Sequence, residues 1–191
     1  RAPFILSQDE IARLMKAVGL THGGFYAHFP SKDALVSEAA VASFDDTLPR
    51  LRTQIERGPE EDRLGQLWHA YVSTRHRDQP ANGCFAAALA GEIARQPRAV
   101  RDAVADKLSD FLAMIEALAA HDGRSVPAAA ALSLMVGAVA LSRIPTDVAL
   151  SERILAEALS VLPHLAQPPA SARPPPRTSG ATAAPSRRSR R

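Results

Sequence analysis

One cysteine, Cys84, in 191 residues leaves no partner for a disulfide within the chain. Such scarcity suits a reducing, cytoplasmic compartment. Aromatic residues make up only 5% of the sequence, and no segment alternates apolar and polar side chains as a half-buried strand does. The start has no basic stretch leading into an apolar one, so no secretory signal is read. The longest uncharged run, Ser125–Ser142, has marginal length for a bilayer and is largely alanine and serine. Pro127 suits the first turn of a helix, so this run is expected at an interior or an interface, with no membrane partner. The six histidines are scattered, with no H-E-x-x-H and no cysteine pair, so no metal site and no cofactor are expected. A G-x-S-x-G elbow is also missing, which argues against an enzyme.

Alanine is abundant, and the hydrophobic fraction reaches 46%. With few β-branched runs, this composition favours helices on intrinsic propensity and predicts an all-α fold. The charge is unevenly spread. Residues 166–191 hold six arginines and no acid, so the +3 of the whole chain becomes −3 over residues 1–165. Overall basicity therefore says little about nucleic acid. Residues 1–32 say more: Arg1, Arg13, Lys16 and Lys32 against Asp9 and Glu10 leave +2.

Ser7 and Glu10 form an S-x-x-E capping box, a helix start. Ile11, Leu14, Met15 and Val18 follow at helical spacing, and Gly19 suits the left-handed position that ends a helix. Thr21 is a candidate cap for a short second helix containing Phe25 and Phe29. Pro30 and Ser31 restart the chain into a third helix from Lys32, which Pro49 is expected to bend or break. Helix, tight turn and short helix make a helix-turn-helix unit. Further helices are predicted at Leu64–His76, Cys84–Arg95, Pro97–His121, Pro127–Arg143 and Asp147–Leu162. From Gln167 onward proline, serine, alanine and arginine dominate without periodicity, which predicts disorder.

Residues Ile11–Val36 read IARLMKAVGLTHGGFYAHFPSKDALV. The Ile-Ala start, glycine turn, Phe-Tyr-x-His-Phe segment and Ser-Lys-x-x-Leu helix start resemble the DNA-binding head of the TetR family. The resemblance implies a head over residues 1–45, a helical regulatory and dimerisation body over 46–165, and a tail over 166–191. It also implies a ligand-responsive repressor that binds a near-palindromic operator as a dimer. Thr21, His22, Gly23 and Gly24 fall where the family reads bases or approaches phosphates. Tyr26, His28 and Lys32 fall at its phosphate-contact positions, where hydroxyl and ammonium donors position rather than specify. Leu20, Phe25 and Phe29 should face inward onto Ile11, Leu14 and Met15. Gly23-Gly24 either lets backbone approach DNA or is simply tolerated in a first turn. The family has a full helix ahead of this unit. Arg1–Leu6, with Pro3, are expected to replace it poorly and to leave the aromatic face exposed.

Within the body, the resemblance puts a small-molecule effector among central helices, with Trp68, Tyr71, Phe85, Phe111 and Met114 as candidate lining or as ordinary core. A homodimer is expected through the last two helices, using Leu132, Met135, Val136, Val139, Ile154, Leu155, Leu159 and Leu162, unless these form an intramolecular core. Cys84 is either a buried structural residue or a thiol sensor whose thiolate a helix start would favour. Double-stranded operator DNA is the principal partner expected. The alternative is a degenerate relative that dimerises or binds a small molecule without holding DNA.

Overall fold

A computed structural model describes residues 8–21, 23–80 and 83–168. The described residues are all-α, as expected. The elements are α1 (Gln8–Ala17), α2 (Phe25–His28), α3 (Lys32–Glu56), a 3₁₀ turn (Glu60–Asp62), α4 (Arg63–Tyr71), α5 (Thr74–Asp78), α6 (Phe85–Ile93), α7 (Arg98–His121), α8 (Ala128–Ser142) and α9 (Val148–Leu165). Ser7, the expected cap of α1, lies outside the described residues, as do Arg1–Leu6.

The head is closed by local chemistry. Gly19 takes φ +75°, and the N–H of Leu20 reaches the Met15 carbonyl at 2.8 Å while that of Gly19 reaches Lys16 at 3.1 Å. These two bonds make a Schellman stop, which needs a left-handed residue at its centre. Ser31 then accepts from the Ala34 N–H at 3.1 Å and starts α3. Ile11, Met15 and Phe25 form a small buried cluster, with Phe29 and Leu35 packed against it. Leu14 and Leu20 were expected inside. They are 41% and 43% exposed, because α2 is only one turn long and covers little beyond Phe25. The expected exposure of the aromatic face fails in the other direction: Phe25 is fully buried.

Helix α3 corrects the expectation of a break. It runs unbroken through Pro49. The proline ring faces solvent, while Phe44, Leu48 and Ile55 bury the opposite side, so packing offsets the one lost backbone hydrogen bond. The same helix crosses the expected boundary at residue 45. Leu35 belongs to the head cluster and Ala40 and Phe44 to the body core, so one helix serves both.

The body is a helical bundle in which α3 packs on α7 and α4, and α8 packs on α9. Leu64–His76, expected as one helix, breaks after Tyr71. Ser73 takes an extended conformation and accepts from the His76 N–H at 3.2 Å, capping α5 instead. Asp122, at the end of α7, is a remote cap for α4. Its carboxylate, 1% exposed, accepts from the N–H groups of Arg63 at 3.0 Å and Leu64 at 2.8 Å. That contact satisfies two of the four orphan donors of a helix start. Pro163 lies inside α9, which reaches Leu165. Gln167, expected to be disordered, instead pairs with Ser125 through two 2.8 Å backbone bonds; the rest of the tail from residue 169 lies outside the described residues. No helix among the described residues is long and apolar enough to cross a membrane.

Candidate nucleic-acid interface and central cleft

Burial of Phe25 decides what the head presents. On a single helical turn, inserting that ring into the cluster turns its sequence neighbours outward. Phe25 meets Phe29 at 5.6 Å between centroids and Tyr26 edge-on at 5.1 Å, yet Tyr26 remains 53% exposed. Ala27 and His28 are exposed beside it. Thr21 and Gly23 are also exposed, whereas Gly24 and Lys32 are half-buried, and His22 lies outside the described residues. Six of the seven residues expected at DNA thus lie in one short stretch with polar or bare surface available.

The turn before α2 is built by Thr21. Its carbonyl and hydroxyl oxygens accept from the Gly24 N–H at 3.0 and 3.2 Å. A side chain at Gly24 would press on that carbonyl at 3.2 Å, while one at Gly23 would meet nothing within 4 Å. A side chain at Gly24 would therefore be tight, and Gly23 leaves open backbone on the exposed side. Between Glu10 and Asp33 the sequence has Arg13, Lys16 and Lys32 and no acid. A surface of this kind suits a polyanion.

The residues proposed for a ligand divide differently. Trp68, Tyr71, Phe111 and Met114 are all at most 4% exposed, and Phe85 is half-buried against Phe44 at 6.2 Å. Only Tyr71 of these borders the large open cleft of about 870 Å³ between α3, α4 and the α5 region. The other four pack within the core because they sit on the inner faces of α4, α6 and α7, as an apolar stripe does.

The inner wall of the cleft is held by His76. Its Nδ1–H donates to the Tyr71 carbonyl at 2.7 Å, and its Nε2 accepts from the Cys84 N–H at 2.9 Å. This pairing requires the neutral ring, and burial pushes the His76 pKa below its ordinary 6.5. Gly83 allows the approach, since a Cβ there would fall 2.7 Å from the imidazole. Cys84 itself is 1% exposed at the N-cap of α6. The Tyr71 hydroxyl is buried without a hydrogen-bond partner among the described residues, as is the Trp68 indole N–H. Burial raises the Tyr71 pKa well above 10.0, and the neighbouring Cys84 thiol raises it further.

Behind this wall, the Arg143 guanidinium at the end of α8 donates to three carbonyls: His76 at 2.8 Å, Arg77 at 3.1 Å and Ala87 at 3.2 Å. Arg77 donates to the Ser151 hydroxyl at 3.0 Å, which in turn donates to the Ser142 carbonyl at 2.5 Å. The loop after α4 is thereby tied to α6, α8 and α9. Sequence reasoning missed Arg143, His76 and Asp122, whose partners are distant in the chain. The basic run Arg75-His76-Arg77 was visible and unused.

The expected dimer ridges need correction as well. Leu132, Met135, Val139, Leu155 and Leu162 are buried within the chain, where α8 and α9 face each other. Val136, Ile154 and Leu159 are half-buried. The exposed large apolar residues on this pair are instead Leu141 (55%), Leu150 (37%), Val148 (63%) and Val161 (46%).

Comparison with known proteins agrees with this architecture. Residues 10–39 match the profile of bacterial regulatory proteins of the tetR family, and residues 60–157 match the tetracyclin repressor-like C-terminal domain. No curated protein sequence gives a significant match. A crystal structure of E. coli NemR in its reduced form is similar in fold, with a TM-score of 0.67 at 19% identity. It covers 86% of this chain, which in turn covers 88% of it. A helix-turn-helix head, a matching helical body and profile matches to both place this chain in the TetR family of bacterial transcription regulators.

Proposed function

We propose that the chain is a ligand-responsive repressor that binds a near-palindromic operator as a homodimer in the cytoplasm. The observation that carries the reading is the outward-facing Tyr26 beside exposed Thr21, Gly23 and His28, on a segment with basic residues and no acid. In helix-turn-helix proteins such a helix lies in the major groove, and its flanks meet phosphates. Tyr26, His28 and Lys32 serve as phosphate contacts; Thr21, His22, Gly23 and Gly24 lie nearest the bases.

Dimerisation draws support from α8 and α9. No charged residue occurs between Ser125 and Ser142, so the outer side of α8 is uncharged along its whole length. Ala130, Ser133 and Gly137 recur there at helical spacing next to exposed Leu141. Small residues permit close helix approach, and a two-fold pair would match a palindromic site.

Ligand response follows from α3. Its first turns hold the head cluster through Leu35, and its second half forms one wall of the cleft, including Pro49. A proline inside a helix is where bending is cheapest. A ligand that prefers one bend of α3 shifts the head positions by its differential affinity for the two states. Cys84, at the same wall, would react with an electrophile only after local opening, because its thiol is buried.

Gel-shift titration against upstream promoter DNA, at several salt concentrations, tests the reading. Wild type should bind with two chains per operator and weaken as salt rises. Tyr26→Phe and Lys32→Ala should each weaken binding by about tenfold, and Lys32→Ala should flatten the salt slope by about one. A folded chain that forms no salt-sensitive complex with any operator favours the degenerate relative.

A further inference from the structure

The body carries net negative charge, yet the walls of the cleft do not. Arg50, Arg57, Arg75 and His69 all line it, and among the described residues no Asp or Glu does. Arg50 is engaged by Asp46 at 2.8 Å. Arg57 and Arg75 have no ion-pair partner among the described residues. Arginines that line one concavity with no carboxylate on its walls leave it positively charged, an excess that an anion relieves. His76, held neutral by its two hydrogen bonds, adds no charge to the inner wall.

The concavity also has apolar surface. Pro49 and Leu51 come from α3 and Ala70 and Tyr71 from α4, with Cys84 beyond. At about 870 Å³ the space far exceeds an inorganic ion and matches ordinary small-molecule sites.

We propose that the central cleft binds an organic acid, its carboxylate held by Arg57 and Arg75 and its apolar body lying against Leu51, Pro49 and Ala70. The proposal rests on the reading of the cleft as the regulatory site and names the chemical class of the ligand. Arginine pairs with carboxylate through two parallel hydrogen bonds, which sets both affinity and orientation. Neutral compounds of the same shape leave the two guanidinium groups uncompensated and bind less well.

Titration calorimetry on the full chain, with benzoate and decanoate against benzamide, decanamide and phenyl phosphate, tests it. At least one carboxylate should bind at least about tenfold more tightly than its own amide and than phenyl phosphate. The double variant Arg57→Gln/Arg75→Gln should weaken that binding by about tenfold or more, while Arg101→Gln on α7, outside the cleft, leaves it unchanged. Circular dichroism confirms that both variants keep their helices. The proposal is overturned if an amide binds as well as its acid, if phenyl phosphate alone binds, if no probe binds, or if binding survives in the folded double variant. A gel shift run alongside separates the two levels. Carboxylate binding without any change in operator affinity leaves the site standing and removes ligand response. An intact operator complex with no carboxylate binding leaves the repressor standing and removes this ligand class.

Discussion

Head and body are stabilised by different means, although one helix runs through both. In the head, three buried side chains and a sequence of local bonds do the work: the Gly19 stop, the Thr21 turn and the Ser31 cap. Each joins residues no more than five apart, and the apolar remainder (Leu14, Val18 and Leu20) stays at the surface. The body has a far larger core, and its polar ties span the chain. Arg143 reaches back 56 to 67 residues for its carbonyls, and Asp122 reaches 58 and 59 for α4. A head built from few contacts can open or shift locally while the body remains folded, as the less stable units of proteins do.

The sharpest way to break this contrast is Phe25→Ala. Removing a fully buried phenylalanine costs about 3–5 kcal/mol, more than so small a cluster can absorb. Operator binding should vanish in a gel shift, while the denaturant midpoint of the main helical transition moves little. A shift of the whole transition by the full amount would mean that head and body unfold as one.

Arg143→Ala tests the other side. Three carbonyls lose a charged donor, which should cost about 2–3 kcal/mol in a urea melt of the body. Arg143→Lys should recover only part of that, because an ammonium lacks the planar fork. The smallest expected effect comes from pH. Burial lowers the His76 pKa below 6.5 in the folded chain, so the neutral ring contributes fully above that value. As pH falls below about 6.5 the unfolded chain takes up the proton first, and stability declines. His76→Gln, which keeps a donor and an acceptor, should flatten the dependence between pH 7 and 5 in thermal melts, whereas an unchanged slope would assign it to other groups.

The head was largely legible because its signals are local. A glycine stop, an aromatic pair four residues apart and a serine cap are properties of neighbouring residues, and the exposure of Tyr26 and His28 follows from burying Phe25. The errors came where helix length mattered: α2 is too short to cover Leu14 and Leu20. In the body, apolar periodicity located helices but could not say which partner each stripe meets. Leu132 and Leu155 looked equally fit for a second chain or for each other, and α8–α9 packing chose the latter. Trp68, Phe111 and Met114 looked fit for a ligand and are core. The cleft residues Arg57 and Arg75 gave no periodic signal at all, since surface arginines recur throughout the chain.

The amino-acid order alone determined the all-α class, the turn-bounded head and the family, because caps, stops and 3.6-residue spacing act over a few neighbouring residues. Only the tertiary structure decided that α3 continues through Pro49, that α8 and α9 bury each other's ridges, and that a basic cleft opens beside Tyr71. Those outcomes depend on which distant side chains compete for the same space, and no local pattern encodes that competition.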